Sequence, residues 1–327
     1  QVFLFWDDPT ILAKAQERFA LHLSGVKLNK NIFSSKVSLP SRLIETKRYD
    51  CIIYLSDGSL PLTLAKKLIV HFQFPVEWVK IDALTKLKLA RISRVICNSH
   101  FTKRFIDQKF HIASTVLYPP VDVKTMDYEP RIQNKKNVVL TVGRFGKLPE
   151  GRNFKKQDVM IDVFKELVDK GLRDWEFIVS ISFQKEDVNE AKNLEALAKG
   201  YPITIVKNLK SKDLARFYKQ AKIYWHAAGF SENLEKHPER AEHFGIATVE
   251  AMAAGAAPVV FAAGGQREIV DDNKNGLLWS TGEEFIKKTK DVIENENLRT
   301  RFIANAQKKV KMFSRERFCR ELQKIVE

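Results

Sequence analysis

The chain has 327 residues, more than a single hydrophobic core usually organises, so two domains are predicted. Its 44% hydrophobic and 29% charged residues are typical of a globular protein, and no segment has a disordered composition. No apolar run approaches the roughly 18 to 20 residues that cross a bilayer, so no integral membrane span is predicted.

Lysine and arginine outnumber aspartate and glutamate by 55 to 40, which gives a net charge of +15. This excess predicts an acidic partner, and nucleic acid, an anionic membrane surface and a polyphosphate ligand all meet that condition. Nucleic acid is not expected, because neither a basic patch interleaved with aromatic residues nor a known binding module accompanies the charge.

The cysteines of the chain are Cys51, Cys97 and Cys319. They stand far apart, and the sequence has neither a C-x-x-C pair nor clustered histidines. This pattern predicts reduced cysteines, a cytoplasmic location and no metal site.

Predicted strands and helices alternate through the first part of the chain. Apolar runs predict strands at 51–55, 67–72, 95–98 and 115–118, and helical spacing predicts helices at 11–23, 41–47, 81–91 and 101–108, the last capped by Ser99. Such alternation favours a parallel sheet covered on both faces, whose ligands gather at the carboxyl ends of the strands. His71 falls at one of these ends and is therefore a candidate functional residue.

The second part of the chain repeats this alternation. Strands are predicted at 138–145, 175–182, 202–206 and 223–227, and helices up to 167, at 186–199, after a cap at Asn208-Leu209, and from 283 to the end, including 315–326. The first of these strands runs into Gly143-Arg144, and a basic loop at 151–158 follows. Arginine can hold a phosphate through two parallel hydrogen bonds and lysine supplies a mobile charge, so this is a candidate anion site.

Residues 242–260 predict a helix entrance, a helix of small residues, a tight turn and a buried strand. Gly245 at the entrance lets a ligand approach the backbone closely, because glycine has no Cβ. The first N–H groups of the helix and its dipole favour a phosphate or pyrophosphate there. Glu242 stands before the entrance and Glu250 about two turns inside the helix, so they can address opposite ends of a ligand whose phosphates lie between them.

This segment closely resembles the E-x7-E motif, and the Glu-Ala-Met-Ala-x-Gly-x-Pro-Val-Val string after it, of the family-four retaining glycosyltransferases of the GT-B fold. Glu242 and Glu250 match the two glutamates of the motif. The alternative interpretation is an ordinary amphipathic helix with solvated glutamates. Pro119-Pro120, in the predicted linker strand, resembles the cytosolic-face mannosyltransferases that extend lipid-linked oligosaccharides.

The resemblance implies an α/β protein of the GT-B fold with two Rossmann-like domains facing across a cleft. An acceptor-side domain at 1–128 and a nucleotide-sugar donor domain at 129–327 are expected, with the last helix leaning back on the first domain. Members of the family begin with a strand and a glycine-rich loop. Neither precedes Gln1, so the first domain is expected to be N-terminally incomplete.

The resemblance also implies roles for particular residues. Arg144 matches an arginine that binds the donor diphosphate; Lys155 best fits the lysine that opens the next helix, and Lys156 remains its rival. The other implied contacts are Gly143, Phe244, Gly245 and Ile246 with the diphosphate, Glu250 with the ribose, Asn208 and Leu209 with the base, Glu242 with the sugar hydroxyls, and His71 with the transferred sugar.

The implied activity is transfer of a sugar, with retention and without a metal or cofactor. The implied donor is GDP-mannose or a UDP-sugar, and the acceptor is a hydroxyl of a glycan or lipid-linked glycan. A nucleotide-sugar-binding or scaffolding protein that has lost catalysis is the open alternative, because the glycine-rich loop is missing. The positive charge adds a predicted peripheral contact with an anionic membrane at its cytoplasmic face.

Overall fold

The computed structural model describes residues 1–19, 21–122, 135–146 and 153–327, which form two compact units. Unit 1 comprises Gln1–Phe72 and Trp78–Ile96, and unit 2 comprises Gln73–Glu77 and Cys97–Glu327. The predicted domain boundary after residue 128 lies outside the described residues and stays a prediction. The expected N-terminal incompleteness of the first domain also stays a prediction.

Unit 1 is built from short parallel strands and short helices. Its strands are β1 Val2–Phe5, β2 Val26–Asn29, β3 Cys51–Ser56, β4 Lys67–Phe72 and β5 Arg94–Cys97, and its helices are α1 Ile11–Phe19, α2 Leu39–Thr46 and α3 Ala83–Ala90. Strands β3 and β4 pair in parallel from Cys51 opposite Lys67 to Ser56 opposite Phe72. Leu68, Ile69 and Val70 of β4 are buried, as expected for a strand covered on both faces.

Unit 2 contains a six-stranded sheet in the order β12-β11-β10-β7-β8-β9, in which every neighbouring pair is parallel. The six strands are β7 Lys136–Arg144, β8 Glu176–Ser182, β9 Ile203–Lys207, β10 Ala221–His226, β11 Ala257–Phe261 and β12 Leu277–Trp279, and the short strand β6 Thr115–Val116 of this unit lies outside this sheet. The order is that of a Rossmann sheet. Its direction of winding reverses between β7 and β10, and ligands of such sheets bind at the carboxyl ends beside that reversal.

Helices connect these strands and cover the sheet of unit 2. They are α4 His100–Phe110, α5 Gln157–Asp169, α6 Val188–Ala198, α7 Ser211–Gln220, α8 Ile246–Ala253, α9 Gln266–Ile269, α10 Gly282–Glu294, α11 Glu296–Val310 and α12 Arg315–Val326. One face of the sheet buries Trp225, Trp279 and Phe285, with the last two rings stacked 4.2 Å apart. On the other face, small residues of α8 such as Ala251 and Ala253 let that helix pack closely in the core.

Several sequence predictions are confirmed to the residue or nearly so. Strand 67–72 and helix 315–326 have the predicted bounds. Ser99 caps α4 by accepting a hydrogen bond from the Thr102 amide at 3.0 Å. The strand predicted at 115–118 is shorter than expected, since only Thr115 and Val116 pair before Pro119-Pro120, where no amide hydrogen is available.

The predicted cap of α7 is wrong. The helix begins at Ser211 after Lys210, and no side chain caps it. Asn208 instead has a left-handed backbone with φ of 48°, and its Oδ1 accepts a hydrogen bond from the Phe183 amide at 2.9 Å. The side chain therefore joins the loops that follow β8 and β9.

The last helix is anchored within unit 2. An Arg317 guanidinium nitrogen donates to the Tyr118 carbonyl at 2.9 Å, and the Val121 amide donates to the Phe313 carbonyl at 2.8 Å. Whether α12 leans on the first domain stays a prediction. In the part of the chain that the structure describes, no helix is both long and apolar enough to cross a membrane.

Candidate active site

The predicted site residues of unit 2 cluster at the carboxyl ends of β7 and β10, beside the point where the sheet winding reverses. Strand β7 ends at Arg144, whose side chain is exposed, and β10 ends at His226, which is buried. Glu242 lies on the segment between β10 and α8. We call Arg144, Lys155, His226, Glu242 and the first turn of α8 the carboxyl-edge site.

Glu242 is held by two partners in this site. Its Oε2 accepts a hydrogen bond from the Lys155 ammonium at 2.6 Å and lies 2.9 Å from His226 Nε2. Burial alone would raise the pKa of Glu242, but the Lys155 charge and the His226 hydrogen bond outweigh it and hold the pKa well below its usual range. The Glu242 carboxylate is therefore ionised at neutral pH and is not a proton donor.

His226 is a neutral partner of this carboxylate. Burial is the largest influence on the His226 ring and lowers its pKa, despite the hydrogen bond to Glu242, which acts in the opposite direction. A neutral ring that donates to Glu242 through Nε2 leaves Nδ1 as an acceptor, and this buried Nδ1 has no partner among the described residues.

The two candidate lysines have separate environments. Lys155 is 20% exposed, and its stem passes so close to Gly143 that a Cβ there would lie 3.3 Å from Lys155 Cγ. Lys156 is buried and pairs with Glu232 at 2.5 Å, and Glu232 also accepts from Arg240 at 2.9 Å. Lys155, not Lys156, therefore lies beside Glu242, while Lys156 links the start of α5 to the loop after β10.

The start of α8 is a turn at Gly245, against which the Gln266 side chain packs: a Cβ on Gly245 would lie 2.7 Å from Gln266 Nε2. Gly245 has φ of 119°, which L-residues rarely adopt, and no side chain of the described residues caps the helix. The loop after β11 packs against the same turn: the Gly265 amide donates to the Glu242 carbonyl at 2.8 Å. Phe244 is buried beneath the turn and Ile246 is 47% exposed, so the helix end is solvent-accessible at Ile246.

Two buried glutamines line this region without hydrogen bonds. Gln266 is fully buried against Gly245, and Gln157, 1% exposed, lies against Gly143. Neither amide has a partner for its Nε2 or Oε1 among the described residues. Buried amides normally find partners, so these two are exceptions at this edge of the sheet.

Glu250 is positioned by Tyr218. The Tyr218 hydroxyl donates to Glu250 Oε2 at 2.8 Å, and burial, followed by the Glu250 charge, raises the pKa of Tyr218. Glu250 is the fifth residue of α8, eight positions after Glu242 in the sequence, and it is half-buried. Asn208 and Leu209 follow the carboxyl end of β9, at the same edge of the sheet.

His71 belongs to unit 1 and lies at the carboxyl end of β4, as predicted. Burial lowers its pKa to about 4, and its Nε2 has no hydrogen-bond partner among the described residues. The ring is therefore neutral at physiological pH. Its predicted contact with a transferred sugar stays a prediction.

Sequence reasoning missed His226, Gln157 and Gln266. The rule that identified His71, a histidine at the carboxyl end of a parallel strand, applies equally to His226. The two glutamines carried no such signal, because only the packing shows that their amides are buried. Part of the predicted basic loop, residues 151 and 152, lies outside the described residues.

A groove of about 740 Å³, the amino-edge groove, lies at the opposite edge of the sheet, where β7, β8 and β9 begin. Lys136, Trp175 and Pro202 contribute to its lining. The winding reversal favours the carboxyl edge for a ligand instead. Among the described residues, no group of three or more His, Cys, Asp or Glu side chains is arranged to hold a metal ion.

The fold and this arrangement define a class of protein, the GT-B glycosyltransferases. The family model for glycosyl transferases group 1 matches residues 122–309. The structure also superposes with a TM-score of 0.72 on that of Anabaena Alr3699/HepE, determined in complex with UDP, at 17% identity over 99% of this chain and 91% of that one. The chain therefore belongs to the glycosyl transferases group 1 family.

Two curated relatives match part of the sequence. A Methanocaldococcus jannaschii protein named as the glycosyltransferase MJ1178 is 28% identical over 240 residues, 72% of this chain and 59% of that protein. The spore coat protein SA of Bacillus subtilis is 24% identical over 236 residues, 64% of this chain and 58% of that protein. The match thus spans less than two-thirds of either relative.

Proposed function

We propose that this chain is a retaining, metal-independent glycosyltransferase that uses a nucleotide-diphosphate sugar. The observation that carries the proposal is the ionised Glu242 held by Lys155 and His226, beside the start of α8 and the winding reversal of the sheet. This arrangement offers a negative group for sugar hydroxyls and positive groups for phosphates at one place.

The diphosphate would lie at the start of α8. The helix dipole and the amides of its first turn favour a negative group there. Arg144 and Lys155 would add the charge that stabilises the leaving group, which is the part that a metal ion plays in other transferases. Arg144 is exposed, so its guanidinium can reach a ligand without breaking a buried contact.

Glu242 would accept hydrogen bonds from the sugar hydroxyls. Its low pKa supports this role over that of a general acid, because the carboxylate keeps its charge across the physiological range. The Lys155 and His226 contacts restrict the rotamer of Glu242, which would keep it oriented before the donor binds.

In the proposed reaction, the bond between the anomeric carbon and the phosphate oxygen breaks. The acceptor hydroxyl attacks from the same face, its oxygen forms the new glycosidic bond, and its proton passes to the departing phosphate oxygen. No second carboxylate is needed as a nucleophile. Retention by this front-face route is implied by the resemblance to family-four enzymes.

The nucleotide would extend from the start of α8 toward Glu250, which would bind the ribose. Tyr218 supports this role because it fixes Glu250 from beneath. The base would lie near Asn208 and Leu209. A UDP-sugar and GDP-mannose are the proposed donors, and the UDP bound in the Anabaena structure supports including uridine nucleotides in any test.

The acceptor would be a glycan or lipid-linked glycan, with His71 close to the transferred sugar. A neutral His71 suits that position, because an uncharged ring can exchange hydrogen bonds with sugar hydroxyls. The same proposal includes membership of family four, of the mannosyltransferase type. It also includes a cytoplasmic location and contact with a membrane surface.

The test has a binding step and a transfer step. Calorimetry with UDP and GDP should show binding that Arg144→Ala weakens, and a donor screen with the preferred nucleotide should show transfer that Arg144→Ala and Glu242→Ala each reduce by at least about 100-fold. Arg173→Ala is the matched control, since Arg173 is exposed in the same unit but lies at the amino-edge groove.

Unchanged transfer in the Arg144 or Glu242 variant would remove that residue from the proposed site. Nucleotide binding without any transfer would favour the alternative of a binding or scaffolding protein. A chelator such as EDTA should leave transfer unchanged, and loss of transfer that added Mg²⁺ restores would contradict the metal-independent mechanism.

A further inference from the structure

Helix α3 of unit 1 directs its apolar face outward. Leu84 and Leu87 are 53% and 58% exposed, and Ala83 and Ala90 are exposed as well. With about 100° between successive residues of a helix, these four side chains share one face. Thr85 and Leu89, on the other side, are only partly covered, and none of the eight residues of α3 is buried.

A helix of this length needs contacts beyond its own backbone. Helices shorter than about 12 to 15 residues are marginal in water, and most of their stability in proteins comes from burying an apolar face. Asp82 caps α3 by accepting from the Thr85 amide at 2.7 Å, but a cap leaves the leucines exposed. The outward apolar face of α3 is therefore a surface suited to an apolar partner.

Basic residues surround this stripe. Lys86 and Lys88 flank it on either side, and Lys80 and Arg91 stand at its two ends. Asp82 is the one acidic residue in the sequence from 78 to 91. Trp78, 58% exposed, begins the same segment, and tryptophan favours the boundary between an apolar phase and water.

We propose that residues 78–91, the docking segment, bind the surface of an anionic membrane. The leucines and Trp78 would enter the boundary between headgroups and acyl chains, and the lysines would extend to the lipid phosphates. A second copy of this chain fits less well, since two faces of the same positive charge would repel each other. This proposal rests on unit 1 and holds whether or not the carboxyl-edge site transfers sugar.

The test is co-sedimentation of the full chain with vesicles. One set contains phosphatidylcholine with about one-third phosphatidylglycerol, and the other contains phosphatidylcholine alone, each at low and high ionic strength. The wild type should sediment with the anionic vesicles at low ionic strength and much less in the other conditions. The double variant Leu84→Glu with Leu87→Glu should lower the partition coefficient by about tenfold or more.

Control variants distinguish vesicle binding by the docking segment from the effects of general hydrophobicity and of misfolding. Val188→Glu changes an exposed apolar residue of α6, 39% exposed, and should sediment like the wild type. Lys86→Glu with Lys88→Glu should lose anionic-vesicle binding with the leucines intact. The tryptophan fluorescence of the wild type should shift to shorter wavelength on anionic vesicles, and Trp78→Phe should reduce that shift.

Certain results would overturn the proposal. One is a wild type that fails to sediment with anionic vesicles, and another is a wild type that binds neutral vesicles as strongly as anionic ones. A third is a Val188→Glu control that loses as much vesicle binding as the leucine variant. A wild-type dimer that the leucine variant converts to a monomer, without vesicle binding, would assign the face to a second copy instead. Vesicle binding without sugar transfer would support the docking segment and the membrane contact, and would contradict only the proposed transfer of sugar.

Discussion

At the scale of single residues, neighbouring lysines in this chain have different tasks because their environments differ. Lys155 is part-exposed beside Glu242, whereas Lys156 is buried between two chain segments with Glu232 and Arg240. In sequence the two lysines are adjacent and equally basic. Their partners differ, since Lys155 pairs with Glu242 and Lys156 with Glu232, and Lys156 also has a left-handed backbone with φ of 57°.

Lys155→Met should weaken nucleotide binding by about 10- to 100-fold, the effect of losing one charge-assisted hydrogen bond worth about 1.5–3 kcal/mol. Lys156→Met should bind the nucleotide with unchanged affinity but lower the free energy of unfolding, because the buried Glu232 carboxylate would lose its ion pair with Lys156. Calorimetry and urea unfolding measure the two effects. Equal losses of affinity in both variants would contradict the assignment of Lys155.

His71 should make folding stability depend on pH in the acid range. Burial lowers its pKa from 6.5 to about 4, so between these values the unfolded chain binds a proton that the folded chain does not. Stability contributed by the neutral ring is thus complete above pH 6.5 and falls as the pH drops toward 4, by at most roughly 3 kcal/mol.

Urea unfolding of the wild type and of His71→Asn at several pH values checks this expectation. The difference in stability between the two proteins should change between pH 6.5 and 4 and stay level above pH 7. Parallel curves across the whole range would show that His71 is solvated in the folded protein.

At the scale of elements, close approach between the start of α8 and the loop after β11 shapes the carboxyl-edge site. A Cβ on Gly265 would lie 2.4 Å from both Phe244 Cα and its carbonyl oxygen, which are backbone atoms. Gly265 has an ordinary helical φ of −65°, so sterics rather than backbone strain require glycine there. The two segments can therefore approach only as long as this residue has no side chain.

Gly265→Ala should destabilise the protein and reduce nucleotide affinity together, because the loop must move away from the turn that would bind the diphosphate. The size of the change expected for overpacking is about 1–3 kcal/mol of unfolding free energy. Gly282→Ala is the control: a Cβ there meets no atom within 4 Å. A Gly265 variant with wild-type stability and affinity would mean that the loop is not held against α8.

At the scale of the whole molecule, the winding of the sheet indicates the carboxyl edge as the place for a ligand. Parallel strands present the carboxyl ends of β7 and β10 on one edge and the groove lined by Lys136 and Trp175 on the other. Hydrogen exchange with and without saturating nucleotide distinguishes these edges. Protection should increase at 242–250 and 264–269 and stay unchanged at 172–176, and the reverse result would move the donor to the amino-edge groove.

The sequence by itself indicated the class of fold and selected candidate residues for the site. Strand and helix periodicity marked strand 67–72 and helix 315–326, and the resemblance of residues 242–260 to a known family indicated the GT-B fold, which the structural superposition confirms. Glu242, Gly245 and Arg144 could be chosen in advance because a helix entrance and a strand end have local patterns that contain them.

Only the tertiary structure decided how these residues are paired. Lys155 meets Glu242 because β7 adjoins β10, and Gln266 lies under Gly245 because the loop after β11 folds back on α8. Partners of this kind are far apart in the chain, so no local pattern specifies them. The outward leucines of α3 illustrate the same limit: periodicity predicts which residues share a face, but burial depends on what the rest of the chain packs against that face.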